Sequence, residues 1–150
     1  MNAFSAPQSA PSIDVDFRDA VPNLLVRGGG FLFGGTGFFV AGSGLQLLVF
    51  ASWHWMVLGA AATLLTLGTT SVLVSAFIIK GRSWAAMLGV ALAVVSAFVT
   101  LAWSAYMVVS LAFSPLTFLA AILASVSALV LPFTVPGSVK ATRARNALYA

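Results

Sequence analysis

The sequence has no cysteine, no glutamate and a single histidine, and only 7% of its 150 residues are charged. Without cysteine, the chain can form neither disulfides nor thiolate ligands. A soluble domain carries about 25% charged residues. With 61% hydrophobic residues, a globule of this size could not cover its surface with the polar side chains available. The composition therefore predicts an integral membrane protein.

The few charges are spaced so that two long runs, residues 28–79 and 83–139, contain none. A helix that crosses the hydrocarbon core needs about 20 apolar residues, so each run is long enough for two helices and a turn. The sequence therefore predicts an all-α fold of four transmembrane helices in two hairpins. The expected spans are residues 28–50, 56–79, 84–107 and 116–135, between an N-terminal tail of residues 1–27 and a basic C-terminal tail of residues 136–150.

The basic residues predict the orientation of these spans. With four spans, the N-terminal tail, the loop between the second and third spans and the C-terminal tail lie on one side of the membrane, and they hold all seven basic residues. Lysine and arginine are enriched in cytoplasmic loops, so we expect both termini to lie in the cytoplasm. The expected membrane is a bacterial inner membrane. Six topology anchors flank the spans: Arg27, Lys80, Arg82, Lys140, Arg143 and Arg145.

Amphipathic aromatic side chains also fall near the predicted span ends, where tryptophan and tyrosine favour the membrane interface. Trp84 is at the start of the third span, on the side of the basic loops. The other expected interface anchors are at the opposite ends of the spans: Trp53, His54, Trp55, Trp103 and Tyr106.

The first span holds eight of the 13 glycines, although each interior glycine costs a helix up to about 1 kcal/mol relative to alanine. Small residues recur in it with heptad spacing, and such a face lets helix backbones approach closely in lipid. We call this face the glycine seam: Gly30, Gly34, Gly37, Ala41 and Gly44. It predicts a helix-packing interface whose partner is the second span, a second copy or another protein. Leucine at Gly34 or Gly37 should therefore abolish assembly while leaving membrane insertion intact.

The second span carries a polar stripe of three hydroxyls at helical spacing, Thr63, Thr66 and Thr70. Such hydroxyls bond to their own helix or to a neighbouring one. The stripe therefore indicates helix packing first and, as the alternative, a polar route through an oligomer.

The predicted spans contain no acidic, basic or histidine side chain. Ion-coupled transport and carboxylate catalysis mark the membrane interior with such groups, so we expect no enzyme, no catalytic residue, no metal site and no cofactor. His54 could ligate haem or hydrogen-bond a quinone, but it has no companion ligands and more simply anchors the interface. Three C-terminal cations without a folded basic face do not predict nucleic-acid binding.

These observations favour a non-catalytic accessory or scaffold subunit of a larger membrane complex, acting through close helix packing. Its expected partners are the lipid bilayer and either other membrane subunits or further copies, contacted through the first span. The first alternative is a small homo-oligomeric channel or facilitator for an uncharged solute. The second alternative is a quinone- or haem-associated subunit, and it depends on His54 alone.

Overall fold

The computed structural model describes residues 21–50, 55–110 and 114–148, and their regular secondary structure is entirely helical. A 3₁₀ turn at Leu131–Phe133 joins the last two of the five helices. The helices are α1 (Leu24–Phe50), α2 (Trp55–Ile79), α3 (Ser83–Val109), α4 (Pro115–Val130) and α5 (Thr134–Leu148).

Four helical segments are long and apolar enough to cross a membrane, and the fourth runs through α4 and α5 from Pro115 to Leu148. The prediction of an all-helical chain with four membrane-spanning helices is confirmed at this level. The helix ends differ from the predicted span ends. Helix α1 begins at Leu24, before residue 28, and the fourth helical segment continues beyond residue 135. A helix can extend past the hydrocarbon core, whereas the hydropathy pattern marks only its apolar part.

Local sequence signals account for the described helix boundaries. The Asn23 side chain accepts a hydrogen bond from the Val26 backbone N–H (2.9 Å) and so caps the start of α1. Ser114 caps α4 in the same way, followed by Pro115 at the first helical position. Between α2 and α3, Gly81 adopts a φ of +67°, a conformation that glycine takes without strain.

Helices α1 to α4 form a bundle in which sequential helices are antiparallel. Gly30 lies beside Ile79, and Gly44 lies beside Ala61, so α1 and α2 run in opposite directions. Hydrogen bonds between Thr36 and Ser127 and between Gln46 and Ser114 show that α4 also runs opposite to α1. Helix α3 packs between α2 and α4. Two adjacent antiparallel hairpins therefore make up the bundle.

The C-terminal segment continues as α5 and packs on the bundle. Pro136 lies in the first turn of α5, where its missing N–H breaks no helical hydrogen bond. The carbonyl of Gly81 accepts hydrogen bonds from Thr142 Oγ1 (3.1 Å) and from Arg145 (2.6 Å). These two hydrogen bonds hold α5 against the loop between α2 and α3.

The length of the fourth helical segment places part of α5 outside the hydrocarbon. Its 34 residues span about 51 Å at the α-helical rise, whereas the hydrocarbon core is about 30 Å thick. The charged residues of this segment, Lys140, Arg143 and Arg145, all lie in α5, and α4 has none. The α5 helix is therefore the part that extends beyond the apolar layer.

Candidate helix-packing sites

The glycine seam of α1 faces α2 of the same chain. A Cβ atom added at Gly37 would lie 2.7 Å from the Gly68 carbonyl oxygen and 2.8 Å from Ser71 Cβ. A Cβ atom at Gly44 would lie 2.9 Å from the Ala61 carbonyl oxygen. Gly30 and Gly34 similarly approach α2, at Ile79 and Ser75. The seam residues therefore bring the backbones of α1 and α2 together.

Gly68 is the residue of α2 that completes this contact, and sequence reasoning missed it. A Cβ atom there would meet the backbone nitrogen of Ala41 and would lie 2.5 Å from the Gly37 carbonyl oxygen. A detectable signal was the spacing of small residues on this face of α2, at Ala61, Gly68 and Ser75.

The glycine seam packs against α2, the second span. The sequence had left three possible partners open: the second span, a second copy or another protein. Because α2 fills this surface, leucine at Gly34 or Gly37 is now expected to disturb the fold of the chain itself. Any partner protein must use a different surface.

The threonine stripe lies on the opposite, outward face of α2. Thr63 and Thr66 are exposed, and Thr70 is half-buried. Each hydroxyl donates to the carbonyl four residues earlier, at 2.9, 2.8 and 2.7 Å. A Cβ atom added at Gly59 would meet no other atom within 4 Å. We call this surface the α2 outer face, comprising Gly59, Ala62, Thr63, Thr66, Thr69 and Thr70.

Other outward surfaces of the bundle carry larger apolar side chains. Phe38 on α1 is 73% exposed and Phe98 on α3 is 72% exposed. Among the remaining phenylalanines of the first span, Phe31 is exposed, Phe39 is half-buried and Phe33 is fully buried in the core. Large apolar groups suit contact with lipid chains, which distinguishes these surfaces from the small and polar α2 outer face.

Buried hydrogen bonds join α1 to α4, and no pattern in the sequence indicates them. Thr36 Oγ1 lies 2.7 Å from Ser127 Oγ, and both side chains are buried. Near the other end of the pair, Ser114 donates to Gln46 Oε1 at 2.9 Å. These polar groups have partners inside the bundle, so they stabilise the contact between the two hairpins.

The six predicted topology anchors lie at one end of the bundle, which we call the basic end. Arg27 is in the first turn of α1, Lys80 and Arg82 flank Gly81, and α5 carries the other three. Arg145 contacts the α2–α3 loop directly, through its hydrogen bond to the Gly81 carbonyl. All three aspartates of the chain precede residue 20 and lie outside the described residues.

The predicted aromatic anchors are distributed over both ends. Trp84 lies at the basic end, with its ring centroid 5.2 Å from that of Phe77. At the opposite end, Trp55 is exposed, and Trp103 stacks on Tyr106 with centroids 5.1 Å apart. Trp53 and His54 lie outside the described residues.

No family model matches the chain, and neither does any curated protein or solved structure. The class of the protein therefore follows from its own helices, which are those of a multi-pass membrane helical bundle.

Proposed function

We propose that this chain is a non-catalytic packing subunit of a larger membrane protein assembly, and that the α2 outer face binds a transmembrane helix of its partner. The carrying observation is the contrast between the two faces of α2. One face is filled by the glycine seam of α1, whereas between residues 59 and 70 the opposite face presents exposed small and hydroxyl side chains.

The physical argument concerns how helices associate in lipid. Lipid tails are as apolar as leucine, so large apolar residues gain little by leaving lipid for a neighbouring helix. Small residues allow close backbone approach, and hydroxyls can form interhelical hydrogen bonds that average about 0.6 kcal/mol. The threonine hydroxyls already donate to their own helix, but their oxygens can still accept a bond from a partner. The α2 outer face therefore suits a protein helix better than the surrounding phenylalanine-rich faces do.

We also propose that the basic end faces the cytoplasm of a bacterial cell, so that both termini are cytoplasmic. The clustering of six cations at that end supports this orientation. Because the chain lacks cysteine, Asn146→Cys on the exposed side of α5 provides a unique label site. A membrane-impermeant maleimide should modify this variant only after the cells are opened. Labelling in intact cells would contradict the orientation.

Native mass spectrometry of the chain extracted in mild detergent tests the proposed function. We expect the chain to be recovered in a fixed ratio with one or more larger membrane proteins. A population consisting only of single chains, obtained under conditions that preserve other complexes of the same membrane, would contradict the proposal.

A second candidate, a homo-oligomeric channel or facilitator for an uncharged solute, uses the same α2 outer face. Copies that associate around this face would line a path with threonine oxygens, and the exposure of the stripe favours this candidate over a route inside one bundle. Native mass spectrometry would then show a pure homo-oligomer. Alanine at Thr63, Thr66 and Thr70 would reduce solute flux in proteoliposomes without reducing assembly.

A further inference from the structure

A groove of about 590 Å³ opens between α2 and α3, away from the basic end. Its volume is in the range of small-molecule sites. The wall is apolar apart from two amphipathic aromatic side chains. It is lined by residues that include Met56, Ala60, Leu64, Val99, Trp103 and Tyr106.

The groove runs lengthwise from the helix ends toward the middle of the bundle. Met56 lies next to the start of α2, whereas Leu64 is eight residues further along, about 12 Å deeper at the helical rise. On α3, Tyr106 lies near the helix end and Val99 lies deeper. Met56 and Tyr106 are exposed, so the groove is continuous with the surface that faces lipid. A long, flexible apolar chain fits this shape.

Trp103 adds a polar requirement to this apolar groove. Its indole nitrogen is buried and has no hydrogen-bond partner among the residues that the structure describes. Buried donors are nearly always paired, and the indole N–H can only donate. A matching occupant therefore carries an acceptor oxygen at the level of Trp103 and an apolar chain below it.

We propose that the groove binds one phospholipid of the bilayer, with an acyl chain along Ala60 and Leu64 and an ester carbonyl accepting from the Trp103 indole. Trp103 lies six residues from the end of α3, at the level where amphipathic aromatic side chains meet the membrane interface. Residues 28–79 and 83–139 contain no charged side chain, so the groove recognises the neutral ester region rather than the phosphate.

Native mass spectrometry of detergent-purified protein, washed until loosely associated lipid is removed, tests this inference. The wild-type chain should retain one phospholipid, and delipidated protein should regain one when synthetic phosphatidylethanolamine is added. Ala60→Phe fills the groove and should abolish retention. Ala105→Phe adds the same ring on an exposed position of α3 outside the groove and should leave retention unchanged.

Trp103→Phe keeps an aromatic ring and removes only the donor, so it tests the hydrogen bond even if Ala60→Phe fails to fold. Loss of one hydrogen bond should weaken phosphatidylethanolamine binding about two- to tenfold. Binding equal to wild type would assign the indole to another acceptor and overturn the proposed pose. Retention of a quinone in place of phospholipid, or no retained molecule at all, would overturn the lipid assignment.

Discussion

Replacing Gly68 with alanine should destabilise the bundle by about 1–3 kcal/mol, the usual range for overpacking a tight contact. The added Cβ atom would meet backbone atoms of Ala41 and Gly37. Backbone atoms cannot rotate away as a flexible side chain can, so α1 and α2 must separate along part of their contact. The measurement is reversible unfolding in mixed detergent micelles, followed by helical circular dichroism.

Gly35→Ala is the matched control for this prediction. Gly35 is also a glycine inside a membrane-spanning helix, but a Cβ atom there would meet nothing within 4 Å. Alanine is the better helix former, so this variant should gain up to about 1 kcal/mol. If both variants changed stability by the same amount, the close approach of α1 and α2 would not govern the stability of the bundle.

Ala62→Leu should abolish recovery of the chain with its partner while leaving its own fold intact. Ala62 is exposed, and its carbonyl accepts the hydrogen bond of Thr66 at the centre of the α2 outer face. A leucine there would hold a partner backbone away from the small residues, so the close packing that drives association in lipid would be lost. Recovery of the partner from the membrane extract is measured against the amount of inserted chain.

The same substitution on another outward surface separates docking from general effects. Ala91 is exposed on α3, so Ala91→Leu adds equal bulk without touching the α2 outer face. This control should recover the partner as the wild type does. Equal loss in the two variants would indicate a nonspecific effect on insertion, and equal recovery would exclude the α2 outer face as the docking surface.

The number of membrane-spanning segments and the all-helical class could be predicted from the sequence, because the thickness of the bilayer sets the length of the apolar runs between charges. The loop at Lys80 and Arg82 follows from the same spacing, and α4 begins at Pro115, one residue before the predicted start of the fourth span. The helical continuation from Thr134 to Leu148 could not be inferred in this way. It depends on contacts with Gly81, which no local pattern records.

For the candidate site, the sequence could not show which neighbouring helix each face contacts. Spacing showed that Gly30, Gly37 and Gly44 share a face, but the direction of that face depends on the positions of α2 and α4. Likewise, the spacing of Thr63 and Thr66 did not show whether their hydroxyls point inward. Hydrogen bonds between distant residues, such as Thr36 and Ser127, form only when the bundle assembles.

Photo-crosslinking in intact membranes tests the central claim most directly, since it identifies what the α2 outer face touches before any detergent is added. A photoreactive amino acid is placed at Thr66, and a control is placed at Val95, which is exposed on α3. We expect a covalent adduct with another protein chain from position 66 and none from position 95. Absence of a protein adduct at position 66, or equal adducts at both positions, would contradict a packing subunit that docks through this face.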